Sequence, residues 1–106
     1  GIDEKTMFAL TEGFGLGLGD MQGTCGAISG AAIILSMKNS CANPQEPTSK
    51  AETYKIMRKL TSRFREKNGS ELCHELKGSN NNGVPLRECR GCVEDAATIL
   101  EEILAE

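Results

Sequence analysis

Apolar residues recur along the chain at steps of three and four, and the two-residue alternation of a half-buried strand never persists, so the expected fold class is all-α. Asp3 is placed to cap a first helix over about residues 4–13, with Met7, Phe8 and Leu10 to bury and the run Gly13 to Gly19 to stop it. A second helix is predicted from Thr24 or Cys25 to about Ser40. Its stretch from Gly26 to Met37 is apolar or small on nearly every face, as expected of a central helix surrounded by others. After a break at Asn43-Pro44-Gln45-Glu46-Pro47, Ser49 and Glu52 read as a capping box opening a long third helix. Tyr54, Met57, Leu60 or Thr61, and Phe64 give that helix its inward stripe, and Asn68-Gly69 ends it.

Ser70 then reads as the cap of a short helix through Glu71-Leu72-Cys73-His74-Glu75-Leu76, closed by Gly78, with a loop over Ser79 to Gly83. Pro85 suits a first helical turn, and Leu86, Cys89, Val93, Ala96, Leu100 and Ile103 form the expected buried stripe of the last helix. The expectation is one domain over residues 1–106, a bundle of four to five helices, since 106 residues suffice for one hydrophobic core.

Charge narrows the partners. Twelve Lys and Arg against 15 Asp and Glu leave a net charge of -3, without the basic footprint that phosphate backbones or anionic lipid select. Neither nucleic acid nor a membrane surface is an expected partner. The cations of the third helix, Lys55, Arg58, Lys59, Arg63, Arg65 and Lys67, read as a solvated face whose C-terminal weighting suits the helix dipole. The longest apolar stretch, Ala31 to Leu35, is far short of a bilayer span, and no signal segment opens the chain, so the expected location is cytoplasmic. So apolar a helix set is compatible with a homodimer.

Five cysteines, Cys25, Cys41, Cys73, Cys89 and Cys92, cannot all pair internally, and helical patterning already supplies a core, so catalytic or metal-binding thiols gain weight over a disulfide scaffold. Cys25 and Cys73 both fall at the start of helices, where unsatisfied N–H groups and the positive dipole end favour thiolate over thiol. Cys25 could equally be a small apolar packing residue against Gly26, Ala27 and Gly30. His74 is adjacent to Cys73, but neighbours on a helix point about 100° apart and need not share a site. Cys89-Arg90-Gly91-Cys92 is a CxxC motif whose two sulfurs share a helix face and suit a redox disulfide or two corners of a metal site. It has no second CxxC to make a zinc ribbon, Val93 stands where covalent haem attachment needs His, and a thioredoxin-like fold lacks strands. The other reading of Cys89 is an inert residue of the buried stripe, and Cys41 reads as incidental. Gly13 to Gly19 resembles a dinucleotide loop only superficially, because no strand precedes it.

Cys25-Gly26-Ala27-Ile28-Ser29-Gly30-Ala31, Cys73 within Asn68 to Leu76, and Cys89 leading into Val93-Glu94-Asp95-Ala96-Ala97 resemble the family of redox-active proteins named for a Cys, Gly-Cys-Ala-x-x-Gly, Cys, Cys pattern (C_GCAxxG_C_C), whose own redox assignment is inferred from its cysteines. The resemblance runs from the glycine stretch through the last helix and implies a helical domain with a redox or metal site, Cys25, Cys73 and Cys89 being the matching positions. Cys92 rests on the CxxC argument alone. The family's first cysteine would lie upstream of Gly1, and the central motif reads Thr24-Cys25-Gly26-Ala27, with Cys25 five residues before Gly30 instead of four.

Three readings follow. In the first, Cys25, Cys73, Cys89 and Cys92 act as a thiol/disulfide electron-transfer centre, a thiol–disulfide oxidoreductase in effect, with Cys25 as attacking thiol and an unknown redox partner protein. In the second, the same four thiolates ligate zinc or an iron–sulfur cluster. The third is a helical interaction domain with inert buried thiols.

Overall fold

In a computed structural model, which describes residues 2–106, the described residues form five helices and no strand. They are α1 (Glu4–Thr11), α2 (Gly26–Asn39), α3 (Lys50–Asn68), α4 (Cys73–Leu76) and α5 (Cys89–Leu104). The core lies where α2, α3 and α5 pack together: Ile28, Ala31 and Leu35 from α2, Leu60 and Phe64 from α3, Cys92, Ala96, Ile99 and Ile103 from α5, with Leu76 of α4 closing one end. No helix is long and apolar enough to cross a membrane.

Several predicted boundaries hold for the predicted reasons. The Asp3 carboxylate accepts from the Thr6 N–H at 3.0 Å and caps α1, and Gly69 ends α3 in the left-handed conformation, φ 84°, that a side chain would resist. Others do not. Ser49 occupies the cap position of α3 but makes no capping bond, because its hydroxyl accepts the backbone N–H of Cys41 at 2.9 Å. Ser70 does accept the Leu72 N–H at 3.0 Å, yet the short helix begins only at Cys73.

Two corrections bear on the site. The second helix, α2, is not enclosed on every face: Ile34 and Met37 are about half exposed, since α3 and α5 cover only the side bearing Ile28, Ala31 and Leu35. The last helix starts four residues after Pro85 and is rotated from the expected stripe. Its buried face is Gly91, Cys92, Asp95, Ala96, Ile99 and Ile103, while Leu86, Cys89 and Val93 are exposed. Both stripes have helical spacing; contact with α2 and α3 selects the one carrying Cys92.

Between α1 and α2 a 3-10 turn, Glu12–Phe14, leads into a left-handed turn in which Leu16, Gly17, Leu18 and Gly19 have φ of 53°, 57°, 65° and 87°. Left-handed leucines are disfavoured by the clash of Cβ with the backbone, so the surrounding bonds must hold them. The Met21 N–H donates to Leu16 O at 2.9 Å and the Gly23 N–H to Gly17 O at 3.0 Å. The turn presses Gly17 against the next element: a Cβ at Gly17 would lie 2.5 Å from Cys73 Cβ and 2.9 Å from Gly23 O.

Candidate redox site

The segment before α2 and the start of α4 are joined by a one-residue antiparallel bridge, Thr24 to Leu72. Cys25 N–H donates to Glu71 O at 2.8 Å, Cys73 N–H to Gly23 O at 3.0 Å, and His74 N–H to Met21 O at 2.8 Å. These bonds satisfy N–H groups at helix starts that have no intrahelical partner, and they bring Cys25, the cap residue of α2, alongside Cys73, the first residue of α4.

The third arm arrives through the loop after α4. Gly78, φ 106°, sits so close to the returning chain that a Cβ there would meet Gly83 and Val84 backbone at 2.7 Å. Gly83 N–H donates to Gly78 O at 3.0 Å and Leu86 N–H to Leu76 O at 2.9 Å, which folds residues 84–88 back over α4. Cys89 then opens α5 beside Lys77, whose Nζ donates to Cys89 Sγ at 3.3 Å. One turn further on, Cys92 points into the core and is 2% exposed.

A buried carboxylate fixes this helix start. Asp95, 5% exposed, accepts from Arg87 Nε at 3.1 Å and pairs with Lys67 of α3 at 3.2 Å. Burial pushes its carboxyl up, but the contacts with Lys67 and Arg87 outweigh that and hold it below the usual carboxylate range. Arg87 in turn lies over Gly91, and its carbonyl faces Cys92 Sγ at 3.9 Å. The residues flanking the CxxC are thus tied to α3 as well as to their own helix.

Two of the thiols are shifted by burial and by neighbouring charge. Burial pushes the Cys73 thiol up; the Lys77 ammonium opposes this, and negative charge on Cys25 or Cys89 would add to it. Burial also pushes the Cys92 thiol up, reinforced by Cys25, which is in hydrogen-bond contact with it, and by Cys89 and Asp95. Lys77 is raised above the ordinary lysine value, first by its hydrogen bond to Cys89 and then by the charges of Cys89, Cys73 and Cys25. All four cysteines are free thiols. Among the described residues, no group of three or more His, Cys, Asp or Glu side chains is disposed to hold a metal ion.

Cys25 and Cys89 therefore lie within electrostatic reach of both Cys73 and Cys92. A model of the family described as "Putative redox-active protein (C_GCAxxG_C_C)" matches residues 1–103. The chain belongs to this family. No curated protein and no solved structure matches it. The three cysteines that match the C_GCAxxG_C_C pattern come from three separate helix starts, and Cys92 joins them through the CxxC.

Two other candidates fall outside the cluster. His74 Nδ1 is paired with Ser79 Oγ. Cys41 lies beyond the C-terminal end of α2 and is exposed; hydrogen bonding by the Ser49 hydroxyl, followed by the Asn43 backbone, lowers its thiol to about 6. Sequence reasoning passed over Lys77 and Asp95 as site residues. A lysine four residues after Cys73 is the one local signal for the first; a lone aspartate among the apolar positions of the last helix was available for the second.

Proposed function

We propose that this redox-active protein works by dithiol–disulfide exchange, with Cys89 and Cys92 as the exchanging pair and Cys25 and Cys73 as neighbours that tune it. The observation carrying this reading is the convergence of four thiols from three helix starts, one sulfur exposed and one buried on the same CxxC turn. An exposed thiol meets the partner first, and a buried one resolves the mixed disulfide, because only an intramolecular neighbour can reach it there. In the oxidising direction, a Cys89 thiolate attacks one sulfur of a partner disulfide, whose S–S bond breaks and releases the other sulfur as a thiolate that takes a proton from water. Cys92 then attacks Cys89 Sγ and passes its proton to the departing partner sulfur. Two protein thiols become one disulfide and the partner disulfide becomes a dithiol, a two-electron transfer.

The test is anaerobic purification, followed by metal and sulfide analysis, thiol titration of the folded protein and equilibration with glutathione redox buffers. The expected result is metal-free protein that loses two thiols on mild oxidation, with Cys89 and Cys92 joined in the peptide map. Stoichiometric iron or zinc with protected thiols would overturn the proposal in favour of a cysteine-ligated metal site. Four thiols unreactive in the folded state would overturn it in favour of an inert helical domain.

A further inference from the structure

We infer that Lys77 is a catalytic residue of the exchange reaction: its ammonium, 3.3 Å from Cys89 Sγ, makes Cys89 the attacking thiol. This deepens the dithiol reading and rests on it.

The argument starts from where charge appears. Attack requires a thiolate, so the cysteine whose anion is held by a cation and open to a partner goes first. Cys92 is buried and surrounded by groups that disfavour its anion: Cys25, Cys89 and Asp95. Cys73 is buried too. Cys25 is half-buried and packs against the core that contains Cys92. Cys89 alone in the cluster is exposed, begins a 16-residue helix and holds a direct hydrogen bond from a cation. The other cations near this helix start are engaged by carboxylates, Arg87 and Lys67 by Asp95 and Arg90 by Glu94, which leaves Lys77 to face the sulfurs.

The fold aims Lys77 deliberately. Its own N–H donates to Cys73 O at 3.0 Å, closing the turn that begins at Cys73, and the chain then doubles back at Gly78 so that Cys89 arrives beside the ammonium. Because Lys77 is itself exposed, replacing it leaves the core untouched. During the exchange Lys77 keeps its proton throughout. It stabilises the Cys89 thiolate before attack and again when Cys89 becomes the leaving group in the reverse, reducing direction.

The test measures the rate at which oxidised glutathione consumes the Cys89 thiol, as mixed disulfide or as Cys89–Cys92 disulfide resolved by peptide mass, in the wild type, Lys77→Met, Lys77→Arg and Cys89→Ser chains. Losing a hydrogen-bonded cation from a thiolate is expected to slow Cys89 about tenfold at pH 7 in Lys77→Met, with Lys77→Arg within about threefold of wild type. The Lys77→Met deficit is expected to close by pH 10, which a merely structural defect would not do. An unchanged rate in Lys77→Met, with Cys89→Ser abolishing the adduct, would overturn the role of Lys77 and leave dithiol exchange standing. The absence of both a Cys89 adduct and a Cys89–Cys92 disulfide in the wild type would overturn the dithiol reading itself.

Discussion

The two ends of α2 carry thiols in opposite settings. At the C-terminal end, Cys41 is solitary and exposed, and hydrogen bonding by Ser49, Asn43 and Thr48 lowers its thiol to about 6. At the N-terminal end, about 21 Å away by helix geometry, Cys25 lies within electrostatic reach of Cys73, Cys92 and the Lys77 ammonium, and burial drives Cys73 and Cys92 upward. The acidic thiol is the one without a partner. Acidity and redox competence are thus separate properties here: the first needs only hydrogen-bond donors, the second a neighbouring sulfur and a means of protecting the resolving thiol until it is needed.

That contrast can be broken in graded ways. The largest effect is expected in alkylation at pH 7, where Cys41 is already mostly thiolate and Cys92 is not. Iodoacetamide should modify Cys41 roughly a hundredfold or more faster than Cys92, as peptide mass spectrometry would show. The Cys41 rate should also fall about tenfold between pH 7.5 and pH 5, because a thiol near 6 becomes protonated across that interval. Equal rates for the two sites in the folded protein would erase the comparison.

Next in size is Gly17→Ala. It adds a Cβ 2.5 Å from Cys73 Cβ on a residue with φ 57°, and backbone strain plus overlap should cost about 3 kcal/mol in urea unfolding. Gly19→Ala, φ 87° but with open space around it, should cost only about 1 kcal/mol. Similar losses at the two positions would mean that the glycine turn does not press on the cluster.

Asp95→Asn comes third, with an expected loss of about 1–2 kcal/mol at pH 7, since Arg87 and Lys67 are partly exposed and can return to water. The Asp95 carboxyl is held below its unfolded value, so its stabilisation is present above that value and lost as pH falls through the folded one. The gap in urea midpoint between wild type and variant should therefore persist from pH 7 to 5 and shrink below about pH 4. A gap that widens in acid would contradict the ion-pair assignment. Smallest of all is Cys41→Ser, which should leave the glutathione equilibrium of Cys89 and Cys92 unchanged, because Cys41 belongs to the other end of α2.

The local rules that were legible in the sequence were those satisfied within a few residues. Asp3 caps α1, Gly69 ends α3, and Gly78 closes α4 because the required bonds and φ angles involve near neighbours. Ser49 misled for the complementary reason: its hydroxyl had a capping bond available locally and a better placed donor, the Cys41 N–H, eight residues back. The last helix misled through degeneracy. Cys89, Val93, Ala96 and Leu100 and, rotated, Cys92, Asp95, Ala96, Ile99 and Ile103 both follow helical spacing, and the second stripe can be buried because Arg87 and Lys67 compensate Asp95.

By itself, then, the sequence determined that the protein is helical, that Cys25 and Cys73 lie at or near helix starts, and which family the cysteines mark. Periodicity and short-range capping carry that information because they depend on residues one to four positions apart. Only the tertiary structure decided that Cys92 is buried and Cys89 exposed, that Gly17 abuts Cys73, and that Lys77 meets Cys89 across twelve residues of loop and turn. Those facts depend on which face of each helix the packing of α2, α3 and α5 consumes, and on how tightly the chain can turn at Gly17 and Gly78. Neither is set by spacing along the chain, since a rotation of one helix by a single residue exchanges the buried thiol for the exposed one.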